Sequence, residues 1–164
     1  MQLRNQVEWA LHCCSILAGL PPGQRLSTKA LAEFHGVPKP YLSKALQSLA
    51  QAGLIEGTLG PSGGYRLARP AAEISFLEIT EAIEGRARSF ACTEIRRNAP
   101  CLRADEQISG PCQVARVMWQ ADEAWRAVLR SQSLADLSAT LEAELPERLL
   151  ADAEAWVGAR SAGG

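Results

Sequence analysis

Five side chains that bind soft or borderline metals stand out in this chain of 164 residues. Three of them, Cys92, Cys101 and Cys112, lie in a stretch punctuated by glycine and proline. They form no Cys-x2-Cys pair, which weakens a structural zinc site, whereas thiolates on a flexible loop suit an iron-sulfur cluster. The other two, Glu8 and His12, are four residues apart, so on a helix they share one face and can reach the same metal centre.

The cysteines differ in how well their surroundings support a thiolate. Cys112 comes immediately before a predicted helix, whose free N–H groups and dipole stabilise a negative charge. Cys101 has no such support and is kept only as a possible ligand. Cys13 and Cys14 are adjacent on the first predicted helix, and we expect both to fill the core. Three loop cysteines and two helix residues therefore compete for four ligand positions.

The helix that carries Glu8 and His12 is the first of three predicted in the N-terminal half. Its apolar residues alternate at spacings of four and three, which is one face of a helix: Leu3, Val7, Ala10, Cys14 and Leu17. A second helix is predicted from Ser27 or Thr28 to Gly36, and a third from Lys39 to Ala52. The short turn between them is typical of a helix-turn-helix.

Two extended segments follow the third helix. Residues 54–58 and 65–68 flank a turn rich in glycine at 60–64, which predicts a β-hairpin. A hairpin directly after a recognition helix is a wing. The fold class predicted is therefore mostly α, a winged helix-turn-helix with a small β-hairpin wing and a long C-terminal helix.

The C-terminal half is predicted to contain a short helix at 76–84, a loop to Pro111 and then a long helix to Arg130. The long helix has an apolar stripe: Val114, Val117, Met118, Ala121, Trp125 and Val128. Ser133 and Asp136 predict a capped helix after it. No motif occurs beyond Pro146, and residues 161–164 are expected to fray.

The third helix has a face suited to reading DNA. With its apolar residues turned inward, short polar or cationic side chains point outward: Lys39, Tyr41, Ser43, Lys44 and Gln47. Lysines reach phosphates or guanine, and glutamine reads adenine. Arg66 and Arg69 on the wing add positive charge, whereas Pro61 and Ser62 occupy the wing tip.

Charge and composition narrow the function classes. The net charge is -1, but residues 1–69 hold seven Lys/Arg against three Glu, and the other 95 hold ten Arg against fifteen Asp/Glu. Such asymmetry is expected when one end faces phosphates. The sequence contains no apolar run near 18 residues, which predicts a soluble, cytoplasmic protein without a membrane segment. The sequence contains no recognisable nucleophile, base and orienting group, so an enzyme is not expected.

Residues 41–44, 49–55 and 60–70 resemble the iron-sulfur cluster regulator family of winged-helix repressors, to which IscR and NsrR belong. The wing sequence Gly-Gly-Tyr-Arg-Leu-Ala-Arg at 63–69 is the most specific part of a likeness that extends to about residue 130. Residues 7–14 are similar to the redox-sensing RsrR branch. The resemblance implies a homodimer on palindromic promoter DNA, with four regions: a winged-helix domain (1–85), a cluster-binding loop (86–113), a dimerisation helix (114–130) and a helical extension (131–164).

The same resemblance implies a ligand set. A [2Fe-2S] cluster would be held by Cys92 and Cys112 of one subunit with Glu8 and His12 of the other. A second possibility uses all three loop cysteines and one of the two helix residues. Other readings stay open: a thiol- or zinc-dependent repressor without a cluster, a regulator that senses nitric oxide or a small molecule, and a winged-helix module that binds protein instead of DNA.

Overall fold

The first helix, α1 (Asn5–Ala18), is buried along one face and packs against the third and fourth helices. A computed structural model describes residues 2–60, 63–103, 105, 106 and 108–163 of the chain. The buried face of α1 is formed by five small or apolar side chains: Val7, Ala10, Cys13, Cys14 and Leu17. Burial raises the pKa of the Cys13 thiol to about 12, and that of Cys14 is raised further. Both cysteines are therefore core residues, as predicted.

The helix-turn-helix is also as the sequence predicts. Helix α2 (Thr28–His35) begins where the Ser27 hydroxyl accepts a hydrogen bond from the Ala30 N–H, 3.1 Å away. It ends at Gly36, whose φ of 63° is the left-handed conformation that favours glycine. Helix α3 (Lys39–Gln51) follows, and its buried residues are Leu42, Ala45, Leu46 and Leu49. Its polar face is left toward solvent.

The wing is a two-stranded antiparallel sheet of β2 (Ile55–Thr58) and β3 (Gly64–Leu67). A short strand before α2, β1 (Gln24–Arg25), leads into Leu26, which exchanges two backbone hydrogen bonds with Tyr65 of β3. A Cβ atom on Gly64 would lie 2.6 Å from the Leu26 carbonyl group, so this close approach requires glycine. The wing-tip residues 61 and 62 lie outside the described residues.

The C-terminal half packs on this domain through two capped helices. Helix α4 (Phe76–Glu84) starts with a capping box of Ser75 and Glu78, after a 3-10 turn at Ala71–Glu73. Helix α5 (Gln113–Arg130) is long and leaves an apolar stripe in solvent, with Val114, Val117 and Val128 each more than 60% exposed. Helix α6 (Leu134–Glu144) has the predicted Ser133 and Asp136 capping box. None of the helices described is long and apolar enough to cross a membrane.

The last part of the chain is more ordered than the sequence predicts. Helix α7 (Glu147–Gly158) packs Trp156 edge-on against Phe34 of α2, with ring centroids 5.1 Å apart. Strand β4 (Ala162–Gly163) then pairs antiparallel with β1. The expectation that the chain frays from residue 161 is therefore wrong for residues 161–163. Its strand partner is more than 130 residues away, so no local signal reveals the pairing.

Buried charges tie the loop between α4 and α5 to both helices. Asp122 of α5, only 8% exposed, accepts hydrogen bonds from Arg126 and from the backbone and hydroxyl of Ser89. Arg126 also donates to Glu81 of α4 at 2.6 Å and to the Ala87 carbonyl at 3.1 Å. These contacts fix the direction in which the loop leaves α4. They also hold α5 against the winged-helix domain.

Replacing Trp156 by Ala should show how strongly the C-terminal helix stabilises the domain. Trp156 is half-buried, so we expect a loss of about 2 kcal/mol in the free energy of unfolding, below the roughly 3–5 kcal/mol of a fully buried tryptophan. Leu149→Ala on the exposed side of α7 is the matched control and should cost less than about 0.5 kcal/mol. Urea denaturation measures both, and equal losses would contradict the docking of α7 through Trp156.

The Asp122 network should make stability depend on acid pH. The hydrogen bonds from Arg126 and then Ser89 hold the pKa of Asp122 below its usual range. A carboxylate with a depressed pKa stabilises the fold above its unfolded pKa of about 3.9, and this contribution is lost as the pH falls through the folded pKa. Asp122→Asn should cost about 1–3 kcal/mol at pH 7 and flatten the acid limb of a stability–pH curve. Glu123→Gln is the control, because Glu123 forms an exposed ion pair with Arg130. It should change neither the free energy of unfolding at pH 7 nor the acid limb of the curve.

Candidate functional site

The outward face of α3 and the wing lie on the same side of the molecule. Tyr41 is 57% exposed, and Lys39, Lys44 and Gln47 are exposed, while Ser43 is half-buried. Lys39 and the wing border one open groove of about 430 Å³. The start of α2 lines it too, including Lys29, which the sequence analysis did not include. Lys29 lies in the first turn of α2, where backbone N–H groups favour anions such as phosphate. This position could have been read from the sequence as a candidate phosphate contact.

The two wing arginines have partners within the domain. Arg66 pairs with Glu56 across the hairpin. Arg69 donates from Nη2 to Glu78 Oε1 at 2.7 Å and from Nη1 to the Glu73 carbonyl at 3.1 Å. Binding of either guanidinium to a phosphate would exchange these contacts for new ones. Their contact with DNA stays a prediction, as it does for the α3 side chains.

Cys92 and Cys112 are brought together although twenty residues separate them. Cys112 is the N-cap of α5, as predicted, and the Cys92 thiol lies near enough to contribute to lowering the pKa of Cys112. The Ala115 N–H is the largest cause that lowers the pKa of Cys112, with smaller contributions from the Val114 N–H and the nearby guanidinium of Arg96, while burial opposes them. The two thiols are therefore neighbours, and the pKa of one of them, Cys112, is lowered.

The other three candidates do not join this pair within one chain. Cys101 is exposed. Glu8 and His12 lie on the exposed face of α1, where they border a groove of about 370 Å³ with apolar walls: Leu3, Val7, Leu11, Phe76 and Leu137. Within the part of the chain that the structure describes, no three His, Cys, Asp or Glu side chains are close enough to share a metal ion.

This arrangement restricts which cluster the residues can hold. Two thiols on the loop and a carboxylate with an imidazole on α1 form a complete set of four ligands for a [2Fe-2S] cluster. Because they lie in two places on one chain, the set fits the cluster only if a second subunit supplies one half. The resemblance described above implied the same division between two subunits, and the ligand set stays a prediction.

One ring contact beside His12 was also not predicted. The His12 ring lies 5.7 Å from that of His35, at the end of α2. Burial first and the charge of His12 second lower the pKa of His35. His35 therefore stays neutral more readily than a free imidazole, and it packs between His12 and Phe34. The histidine face of α1 thus adjoins the helix-turn-helix.

Comparisons with known proteins agree with this architecture. The relative YwgB from Bacillus subtilis, named as a helix-turn-helix-type transcriptional regulator, is 28% identical over 134 residues, which cover 82% of each protein. The oxidized form of CymR from Staphylococcus aureus is 27% identical, with a TM-score of 0.61 over 84% of this chain and 96% of that one. IscR from T. potens, at 23% identity, shares the fold with a TM-score of 0.65 over 92% of this chain and 96% of that one.

The family match covers most of the chain. Residues 3–140 match the Rrf2 family, described as iron-dependent transcriptional regulators. Relatives are named as regulators and not as enzymes, and the winged helix is the DNA-binding fold that the sequence predicts. The chain therefore belongs to the Rrf2 family of transcriptional regulators, with a winged helix for binding DNA.

Proposed function

We propose that this protein is a homodimeric repressor that binds palindromic promoter DNA and changes its affinity with the redox state of a [2Fe-2S] cluster. The observation that carries the proposal is the division of the candidate ligands. A dithiol is assembled at the start of α5, while Glu8 and His12 face solvent on α1 with an apolar groove beside them. Two subunits bring the halves together at two symmetric sites.

The exposed apolar surface supports a dimer. The apolar surfaces of α5 and of the groove beside Glu8 adjoin, because Leu3, just before α1, borders both that groove and a second groove that contains Met118 and Trp125. Ile95, three residues after Cys92, is 72% exposed on the cluster-binding loop. Packing α5 against a partner helix would cover the stripe and set the partner's loop near α1.

The reading face supports binding to DNA. A homodimer presents two copies of α3, and two-fold symmetry matches half-sites about one helical turn apart. The positive charge is concentrated in residues 1–69. Phosphate contacts from lysines on both subunits then supply salt-sensitive affinity, while Gln47 contributes to base readout.

The ligand residues also suggest how the switch works. A bound [2Fe-2S] cluster would supply a one-electron redox change, and two non-cysteine ligands raise its potential relative to four thiolates. Any movement of the His12 and Glu8 ligands on reduction would be carried by α1, the helix on which both lie. Since the buried face of α1 packs on α3, a shift of α1 would move the recognition helix.

A second candidate function uses the same two thiols without iron. Cys92 and Cys112 lie near each other, and CymR, a structural relative, is known in an oxidized form. A thiol-based regulator would lose two electrons and two protons on forming a disulfide between them. A zinc-dependent repressor and a regulator whose cluster senses nitric oxide are further alternatives. Iron analysis separates the iron-containing regulators from the iron-free regulators.

Anaerobic purification followed by iron and sulfide analysis and a visible spectrum tests the cluster. We expect a coloured protein with two irons and two sulfides per cluster, because the [2Fe-2S] type has charge-transfer bands that zinc lacks. His12→Ala should change the spectrum, since an iron ligand is replaced. Cys101→Ser is the control and should leave it unchanged. A colourless protein free of iron would favour the thiol or zinc alternative.

Binding to promoter DNA should depend on α3 and on redox state. Lys44→Ala should weaken binding to all sequences and reduce the salt slope by about one, because one phosphate contact is lost. Arg97→Gln, on the cluster-binding loop and not on α3, is the control for a lost positive charge. Fluorescence anisotropy performed anaerobically compares the oxidised and reduced forms. Equal affinities in the two states would overturn the redox switch while leaving DNA binding intact.

A further inference from the structure

The cluster-binding loop is closed by one arginine. Arg96 lies in a 3-10 turn, Ile95–Asn98, between the two working cysteines. Its Nη2 donates to Glu94 Oε2 at 2.8 Å and to the Gly110 carbonyl at 3.0 Å, and its Nε donates to the other oxygen of Glu94. Glu94 is two residues after Cys92, and Gly110 is two residues before Cys112. One guanidinium therefore joins the two ends of the segment that runs from Cys92 to Cys112.

These contacts differ from an ordinary surface ion pair. The side chains of Arg96 and Glu94 are each about 30% exposed, and the forked guanidinium meets both carboxylate oxygens at once. Glu94 has a φ of 55°, the only positive φ of a residue other than glycine in the described ranges. Residues other than glycine rarely adopt this left-handed conformation. The two hydrogen bonds from Arg96 therefore hold the backbone of Glu94, two residues after Cys92.

We propose that Arg96 is a positioning residue that closes the cluster-binding loop and holds Cys92 against Cys112 within a single chain, before iron or a second subunit is bound. The proposal rests on the proposed function only in taking these two thiols as the working pair. Just before Cys92, Ser89 and Phe90 are already hydrogen-bonded to α5. Between Cys92 and Cys112, the Arg96–Gly110 contact is the one described hydrogen bond that spans the irregular segment instead of joining near neighbours. Closing such a loop costs conformational entropy, which a preformed contact removes.

Charge alone does not explain the role. Lysine at position 96 would keep a positive charge near both thiols, but an ammonium group cannot reproduce the planar fork that joins Glu94 and Gly110. Arg97, the next residue, is exposed and forms no ion pair among the described residues. These two positions therefore separate the geometric role of Arg96 from a general effect of positive charge on the loop.

Phenylarsine oxide tests the proposal, because its arsenic binds two thiols at once and reports whether they are close. The reduced, metal-free protein is used in a Cys101→Ser background, and peptide mass spectrometry locates the arsenic. We expect one arsenic bridging Cys92 and Cys112. Arg96→Gln and Arg96→Lys should each weaken the affinity of the protein for phenylarsine oxide by about tenfold. A loss of that size is expected when one pair of charge-assisted hydrogen bonds is removed. Arg97→Gln should bind as the parent protein does.

The outcomes separate this proposal from the cluster. If Arg96→Gln binds the arsenic as tightly as the parent, the loop does not need Arg96 and the proposal fails. If only Arg96→Gln is weakened and Arg96→Lys is not, charge and not geometry is responsible, which also overturns it. Because no iron is present, a parent protein that never assembles a cluster can still show the Arg96 effect, so failure of the proposed function is seen independently. Unchanged thermal unfolding of the variants excludes global misfolding.

Discussion

The burial of one face of α1 is the constraint on which the other parts of the structure depend. Its small residues, Ala10, Cys13 and Cys14, let α3 and α4 approach closely, so the recognition helix and the C-terminal half are placed against the same helix. Helical geometry then leaves Glu8 and His12 on the opposite, exposed face. A helix that carries ligands outward and supports the DNA-reading helix inward is suited to transmit a change from one to the other.

The C-terminal half is attached to this helix pair by charges as well as by apolar contacts. Arg126 joins α5 to α4 through Asp122 and Glu81 and also holds the beginning of the loop. A buried ion network of this kind adds little net stability, but breaking one partner is costly. Its consequence is geometric: the loop leaves α4, is held to α5 through Ser89 and ends at the N-terminus of α5, where Cys92 lies near Cys112.

The relatives and the structure are consistent with two alternative kinds of regulator. Both would use the same pair of thiols, Cys92 and Cys112. An iron-sulfur protein uses Cys92 and Cys112 as ligands, and a thiol-based protein oxidises them. Both need the two thiols close together and both need a link to the DNA-reading helices. What distinguishes the first is the role of Glu8 and His12, which have an obvious function only when a metal centre bridges two subunits. The exposed stripe of α5 supplies the surface for such an assembly.

Much of the fold follows from short-range patterns in the chain. The apolar spacing of α1, the Ser27 and Ser75 caps, Gly36 and the glycine-rich turn of the wing depend on contacts within a few residues, and these elements lie within one or two residues of where they were predicted. The position of Cys112 at the start of α5 is of the same kind. The bounds of α7 within the predicted helical extension were not predicted, because the packing of Trp156 against Phe34 of α2 joins residues far apart in the chain.

The sequence by itself determined which side chains are candidate ligands, the polar outward face of α3 and the winged helix-turn-helix, because periodicity, capping and turn chemistry are local. Only the tertiary structure decided that Cys92 lies near Cys112, that Arg96 joins Glu94 to Gly110, and that β4 pairs with β1. Those pairings join residues from fourteen to more than a hundred positions apart. They depend on how helices pack, and no short-range pattern in the chain encodes them.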